Sequence, residues 1–337
     1  MFGAVIHAPG DVRYEQRPDP EIVEPTDAVV RTVAACVCGS DLWRYRGLAP
    51  VPRPVPIGHE FCGVVEAVGD AVTVVKPGDF VVGGFNPSDN VCPVCRKGAT
   101  ANCINGDHYA GCQAEKIRVP QAEGTLVATP GMPDDDLIPS LLALSDVMCT
   151  GWHAAVSAGV GPDTTVAVVG DGAVGLCAVL AAVQLGAPTV IAMSRHESRQ
   201  QVAREFGATH IVAERDDAGI AAVRELTNGI GADCVLECVG TEQARLQATG
   251  CVRDGGNIGM VGLPHGDLPM IDLFWRNVGV KGGPAHCRTY LPDLMEKVLA
   301  RTINPGLVFD LELPLAEIGE AYAAMDERRA IKSLVRP

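Results

Sequence analysis

The segment Gly170-Asp171-Gly172-Ala173-Val174-Gly175 narrows the folds open to this chain more than any other; it follows the apolar run 166–169 and opens an apolar helical pattern. The spacing is G-x-G-x-x-G between a strand and a helix, a context in which each glycine has its own task. The first permits a tight turn, the second lets the backbone approach a pyrophosphate, and the third lets helix and strand pack closely. The helix N-terminus then offers free N–H groups and a partial positive charge to phosphate. Around the turn, apolar strands at 165–169, 189–193, 210–212, 233–238 and 257–261 alternate with helical stretches at 173–185, 198–206 and 217–227. That alternation predicts an α/β fold, a doubly wound parallel sheet with helices on both faces.

Before about residue 147 the pattern is different. Short β-branched runs at 28–33, 64–68 and 80–82 are separated by turn signals such as Val68-Gly69-Asp70 and Lys76-Pro77-Gly78-Asp79. These describe a compact, irregular β domain. The 337 residues suffice for two domains of roughly 150 residues each. The expected division is 1–147 for the β domain, 148–284 for the dinucleotide domain and 285–337 for a tail that returns to the first. That tail carries helices near 291–301 and 315–326 and a closing segment at 331–335.

A net charge of −14 without a dense basic run argues against nucleic acid or an anionic membrane as partner. The longest apolar run is about 13 residues, whereas a membrane span needs roughly 20. Met1-Phe2-Gly3-Ala4-Val5 lacks the basic flank and apolar stretch of a signal peptide, so a cytoplasmic protein is expected. In that compartment the 13 cysteines read as thiols and metal ligands rather than as disulfides.

The end of the second strand selects the cofactor. An NAD-binding turn is followed about 20 residues later by an acidic side chain for the ribose hydroxyls. Here the chain presents Ser194-Arg195-His196, with Arg199 one helical turn on. Arg195 and Arg199 would attract a 2′-phosphate and grip it through paired hydrogen bonds, with Ser194 adding a donor. Basic charge at a helix N-terminus is disfavoured by the helix dipole, so a functional reason outweighs mere solvation. NADP(H) is the expected cofactor, held by Gly170, Gly172, Ala173, Val174, Gly175, Ser194, Arg195, His196 and Arg199.

Metal-ligating residues concentrate in the first domain: Cys38-Gly39-Ser40-Asp41, Gly58-His59-Glu60, and Asp146 within Ser145-Asp146-Val147-Met148-Cys149. A thiolate, an imidazole and a carboxylate suit a zinc site with an open fourth position. Spacing alone does not join the three, and a helix N-cap before an apolar segment is the rival reading of Asp146. A second group reads Asp89-x-x-Cys92-x-x-Cys95-x7-Cys103. A bare C-x-x-C could be a redox pair; the added Cys103 favours a zinc-held loop.

Cys38-Gly-Ser-Asp, Gly58-His59-Glu60 followed by Gly63, the stretch Val75-Lys76-Pro77-Gly78-Asp79 and the glycine-rich half together resemble the zinc-containing medium-chain dehydrogenase/reductases over essentially the whole chain. The resemblance implies a GroES-like irregular β catalytic domain joined to a Rossmann domain. It implies zinc on Cys38 and His59, and Asp146-x-x-x-Thr150-Gly151-x-His153 resembles the NADP-dependent secondary-alcohol branch, in which the matching Asp is the third ligand. Glu60 would close the fourth position when substrate is absent. Ser40 matches a hydroxyl relay to substrate, whereas the His usual five residues after the ligand Cys is Trp43, which could instead wall the pocket. The lobe at about 86–104 matches a structural zinc site of four cysteines, with Asp89 in place of the first.

The implied reaction passes a hydride between NADP(H) and a zinc-polarised alcohol, aldehyde or ketone, in a homodimer or homotetramer. A polyol or sugar dehydrogenase of the same family is the alternative, and a non-enzymatic NADPH/zinc redox sensor the rival of another class. Cys149 is near enough to compete as a ligand but is not one in the pattern resembled. Trp152 is a weaker candidate for the pocket wall and as readily a core aromatic, His153 reads as structural, and His286 and Cys287 read either as pocket residues or as plain loop residues.

Overall fold

The computed structural model describes residues 1–263 and 267–337. The chain divides into two compact units, Met1–Asp146 with His286–Pro337, and Val147–Ala285.

The first unit is built around the strand Ala28–Cys36, whose small and β-branched side chains are buried at most positions. It pairs antiparallel with Phe61–Val68 on one side. On the other side its first half pairs with Lys116–Val119 and its last residues with Ser333–Arg336. Phe80–Gly83, Leu126–Ala128 and Leu311–Pro314 complete the seven-stranded sheet. The tail of the chain therefore supplies two strands of the sheet begun by residues 28–36. Val30, Phe61, Val65, Val81, Ile117 and Leu126 form one core cluster. Phe61 is fully buried there, and cutting such a side chain back to Ala typically costs roughly 3–5 kcal/mol.

Register decides what gathers at one end of this sheet. Ala35 lies opposite Phe61, and Cys36 opposite Leu334. Residues just past Cys36 therefore meet those just before Phe61 and just before Ser333. Gly83 also lies opposite Phe61, and two residues on, the Phe85 N–H donates to the Ser145 carbonyl at 3.0 Å. Cys38, His59, Glu60 and Lys332 are thus brought to one end by strand pairing, and Asp146 joins them next to the Phe85–Ser145 backbone hydrogen bond.

The second unit holds a six-stranded parallel sheet in the order 210–212, 189–193, 165–169, 232–237, 252–260, 279–282. The order reverses between Thr165–Val169 and Ala232–Glu237, the point where open α/β sheets receive ligands at the strands' carboxyl ends. Thr165–Val169 is almost wholly buried, as expected of a strand covered on both faces. Four elements go beyond the sequence pattern, the first of them the helix Val147–Ala158. The helix Glu242–Cys251 buries only small or polar groups, so its periodicity is faint; Thr241 caps it, accepting from the Ala244 N–H at 3.2 Å. The helix Met270–Trp275 and the strand Gly279–Gly282 are too short to carry a pattern. Among the described residues no helix is long and apolar enough to cross a membrane.

Candidate functional site

Cys38, His59, Glu60 and Asp146 each place one ligand atom within 4.8 Å of the others. Asp146 Oδ2 stands 3.5 Å from Cys38 Sγ and 3.3 Å from His59 Nε2. Behind the imidazole, Nδ1 lies 3.4 Å from Asp41 Oδ1. Asp41 Oδ2 accepts from the Cys38 N–H at 3.0 Å and from Gln113 Nε2 at 3.1 Å, and the Tyr322 hydroxyl donates to Gln113 Oε1 at 3.0 Å. A carboxylate behind a histidine fixes its tautomer and ring orientation, leaving the other nitrogen to a metal.

Glu60 and Lys332 are buried together, with Lys332 Nζ 2.7 Å from Glu60 Oε1 and 3.0 Å from the Val37 carbonyl. The second Glu60 oxygen, Oε2, is buried and has no hydrogen-bond partner. Burial raises the Cys38 thiol above its ordinary value, and the charges of Asp146 and Glu60 push the same way while His59 opposes them. Burial alone would lower the His59 imidazole, but Asp41, the Cys38 sulfur and its bonds to Asp146 and Asp41 hold it well above its usual range. The donor set of one sulfur, one nitrogen and two carboxylates, with one buried oxygen unsatisfied, fits a divalent cation such as zinc.

A second group, Asp89, Cys92, Cys95 and Cys103, meets the same distance limit. Two short 3-10 turns, Cys95–Lys97 and Thr100–Asn102, fold the loop on itself. The Cys95 N–H points at Cys92 Sγ (3.4 Å), the Asp89 N–H at Cys103 Sγ (3.4 Å), and Cys92 and Cys103 sulfurs are 4.0 Å apart. The Cys95 N–H is the main cause that brings the Cys92 thiol down to about 7, and burial raises Cys95. Asp89 Oδ1 accepts from the N–H groups of Val91 and Cys92 at 2.9 and 3.0 Å, and Oδ2 from Asn105 at 2.6 Å. These N–H···S contacts are the local pattern by which a loop prepares thiolates for tetrahedral zinc. All 13 cysteines are free thiols.

The glycine turn needs its glycines for definite reasons. Gly170 has φ +117°, and a Cβ on Gly175 would lie 1.9 Å from the Gly170 carbonyl oxygen. Gly172 caps the helix Ala173–Gln184, which Ala173 and Val174 open. The polar residues at the end of the second strand, expected to grip a 2′-phosphate as a pair of arginines, are placed differently from one another. Arg195 is exposed, and His196 precedes the helix Glu197–Glu205. Arg199 instead pairs with Asp171 at 3.2 Å, and the Ser194 hydroxyl donates to the other Asp171 oxygen at 3.0 Å. No carboxylate stands at 194–196, directly after the second strand, yet Asp171 of the glycine turn delivers one to Ser194 and Arg199. Burial would raise its carboxyl, but Arg199, Ser194, Arg215 and His196 together hold it below the usual carboxylate range. Sequence reading passed over Asp171 and Arg215, as it passed over Lys332, because their significance lies in contacts between distant segments. Asp41 did carry a signal, its place in Cys38-Gly-Ser-Asp.

Other residues singled out from the sequence fall in varied places. Ser40 is exposed, and its hydroxyl makes no capping bond to the helix Asp41–Tyr45 that it precedes. Trp43 is half-buried on that helix, Trp152 is half-buried and Cys149 and His153 are buried in Val147–Ala158. His286 Nδ1 accepts from the Ala101 N–H at 3.3 Å, which ties it to the cysteine lobe. Cys287 is buried against Gly84.

Residues 24–131 match the alcohol dehydrogenase GroES-like domain and residues 173–297 the zinc-binding dehydrogenase family. Zinc-type alcohol dehydrogenase B of Aspergillus flavus is 32% identical, with 100% of this chain and 81% of that protein covered. An alcohol dehydrogenase of Cupriavidus necator is likewise 32% identical, covering 100% and 99%. Among solved structures, alcohol dehydrogenase TADH from Thermus sp. ATN1 matches at a TM-score of 0.91 and 31% identity, over 100% of this chain and 99% of that one. The chain belongs to the zinc-binding alcohol dehydrogenase family of medium-chain dehydrogenase/reductases, with a GroES-like catalytic domain and a Rossmann-type parallel sheet.

Proposed function

We propose that this family member is an NADP(H)-dependent alcohol dehydrogenase, a reductase of aldehydes and ketones, with the metal-site pattern of the secondary-alcohol branch. The observation that carries the reading is the gathering of Cys38, His59, Glu60 and Asp146 around one point, backed by Asp41 and Lys332. When bound, zinc supplies Lewis acidity to the substrate oxygen, and the nicotinamide gives or takes the hydride. Cys38, His59 and Asp146 are its three protein ligands in this reading. Asp41 orients His59, and Lys332 holds one oxygen of Glu60 so that the other is left as an exchangeable fourth ligand. Ser40, exposed and not engaged as a cap, carries the proton at the substrate oxygen. Asp89, Cys92, Cys95 and Cys103 hold a second, structural zinc.

The division of labour is 1–147 and 285–337 for catalysis and 148–284 for the cofactor. The turn residues Gly170, Gly172, Ala173, Val174 and Gly175 take the pyrophosphate, and Arg195, His196 and Arg199 take the 2′-phosphate, while the single hydroxyl donor of the buried Ser194 is used on Asp171. The Asp171 carboxylate is occupied by Ser194 and Arg199, which removes its power to repel that phosphate. Self-association is part of the reading. Met270, Ile271, Phe274 and Trp275 of one helix are 66–74% exposed, and monomers rarely leave such patches uncovered.

The decisive experiment follows NADPH oxidation against a panel of short and aromatic aldehydes and ketones, before and after zinc chelation. Turnover that falls on chelation and returns with zinc supports the reading; turnover indifferent to zinc overturns the ligand assignment. For the cofactor, Arg195→Asp with Arg199→Leu is expected to raise KM for NADPH by roughly a hundredfold and KM for NADH far less, two charged hydrogen-bonding groups being lost. Equal changes for both cofactors would remove the phosphate clamp.

A further inference from the structure

Within Val147–Ala285, three segments remote in sequence meet over one carboxylate. Asp171, inside the glycine turn, is 8% exposed. Its Oδ2 accepts from the Ser194 hydroxyl at 3.0 Å, and its Oδ1 lies 3.2 Å from Arg199 Nη1 and 3.9 Å from Arg215 Nη2. The same Arg199 nitrogen reaches the Asp171 backbone carbonyl at 3.4 Å. Ser194 follows the strand Thr189–Met193 and Arg215 follows His210–Val212. The Ser194 N–H donates to the Val212 carbonyl at 2.9 Å, so two adjacent parallel strands deliver both side chains to the same end of the sheet.

The chemistry of the contact distinguishes two roles for Asp171. A carboxylate with free oxygens at this place would accept ribose hydroxyls and turn away a 2′-phosphate. Here one oxygen is taken by a hydroxyl and the other by Arg199, so the charge is spent on orienting cations. Arg199 uses one of its nitrogens on Asp171 and can present the rest of its planar fork to an anion. Arg215, at 3.9 Å, is steered by charge across a gap too long for a hydrogen bond. Its side chain is 34% exposed, whereas that of Arg199 is 12% exposed. Arg199 is thus mostly enclosed beside Asp171, and Arg215 stands at the more exposed edge of the same cluster.

We propose that Arg215 is a further specificity-determining residue for the cofactor, a third cation beside Arg195 and Arg199, and that Asp171 is the positioning residue that holds Arg199 and Arg215 toward a phosphate on the adenosine ribose. This rests on the NADP(H) reading above. Arg215 comes from the third strand of the sheet, outside the second-strand segment 194–199 from which that reading was made.

The test is calorimetric binding of adenosine 2′,5′-bisphosphate and of 5′-AMP to the full chain, which separates the two ideas. If the unaltered protein binds both equally, the NADP(H) reading itself falls. If it prefers the bisphosphate, Arg215→Leu is expected to weaken that ligand roughly tenfold while 5′-AMP changes by less than about twofold. Arg215→Lys, which keeps the charge but loses the fork, should recover part of the loss. An unchanged preference in Arg215→Leu overturns the Arg215 assignment. Asp171→Asn is expected to reduce the preference severalfold; a preference that is unchanged or increased overturns the positioning role. The 5′-AMP measurement in each variant reports that the glycine turn is intact.

Discussion

Cys38, His59, Glu60 and Asp146 come from segments up to 108 positions apart, each set on the end of a strand or next to a helix. Asp89, Cys92, Cys95 and Cys103 come from residues 89–103 alone, a loop with only two short 3-10 turns. Behind the first group stand Asp41, Gln113, Tyr322 and Lys332, all buried; around the second the supports are backbone N–H groups of the same loop. The first group is thus shaped by the sheet, and on the proposed reading it would keep its form without an ion. The second is a loop whose geometry an ion would complete, so on the same reading its metal would act as a folding element. Two sites with the same number of ligands should therefore fail differently.

The largest effect is expected at the first site. Asp146→Asn keeps the shape of the side chain and removes the charge, so zinc content should fall by one per chain and carbonyl turnover by a hundredfold or more, on the order expected for losing a first ligand of a Lewis acid. Unfolding should change little, because the sheet holds the remaining ligands. Metal analysis with steady-state kinetics checks the first part and thermal denaturation the second. Normal zinc content with normal turnover would take Asp146 out of the site.

Lys332 probes the scaffold behind that site. Lys332→Met leaves the Glu60 carboxylate buried without its partner, and breaking a buried pair in this way costs about 3–5 kcal/mol. Denaturant unfolding of the zinc-free protein measures it. Adding Glu60→Gln should recover most of the loss, since the pair and not either residue is at stake. A change below about 1 kcal/mol in Lys332→Met would mean that the first site is less dependent on its fold than the comparison holds.

How much of this was legible beforehand follows from the same contrast. The lobe could be read by spacing, because all four residues lie within one loop. The first site could not, since only strand register, Ala35 opposite Phe61 and Cys36 opposite Leu334, brings its parts together. Resemblance to a family supplied Cys38 and His59, but nothing local in the sequence marks Lys332, 272 positions from Glu60. The Rossmann strands were legible because a doubly covered strand is apolar throughout, as in Thr165–Val169. Glu242–Cys251 was missed because its buried face of Ala244, Ala248 and Cys251 offers little hydrophobic contrast. At the cofactor turn, Asp171 was legible as a residue of the motif, while its hold on Ser194, Arg199 and Arg215 depends on two strands lying side by side.

The smaller effects belong to the lobe. Cys103→Ser should lose one zinc per chain and lower the thermal midpoint by on the order of 5 °C, corresponding to a modest loss of stability in a chain of this size. Turnover per remaining zinc should stay near the parent value, the reverse of Asp146→Asn. Asp89→Asn should do least. Its Oδ1 already shapes the turn by accepting from the Val91 and Cys92 N–H groups, and an amide oxygen can keep both bonds. What the amide cannot keep is the negative charge on the oxygen that faces Asn105. Release of the lobe's zinc to a competing chelator should therefore quicken severalfold while the thermal midpoint moves little. If the release rate is unchanged, Asp89 is a turn-forming residue only, the lobe grips its ion with three cysteines, and its fourth coordination position belongs to something other than this side chain.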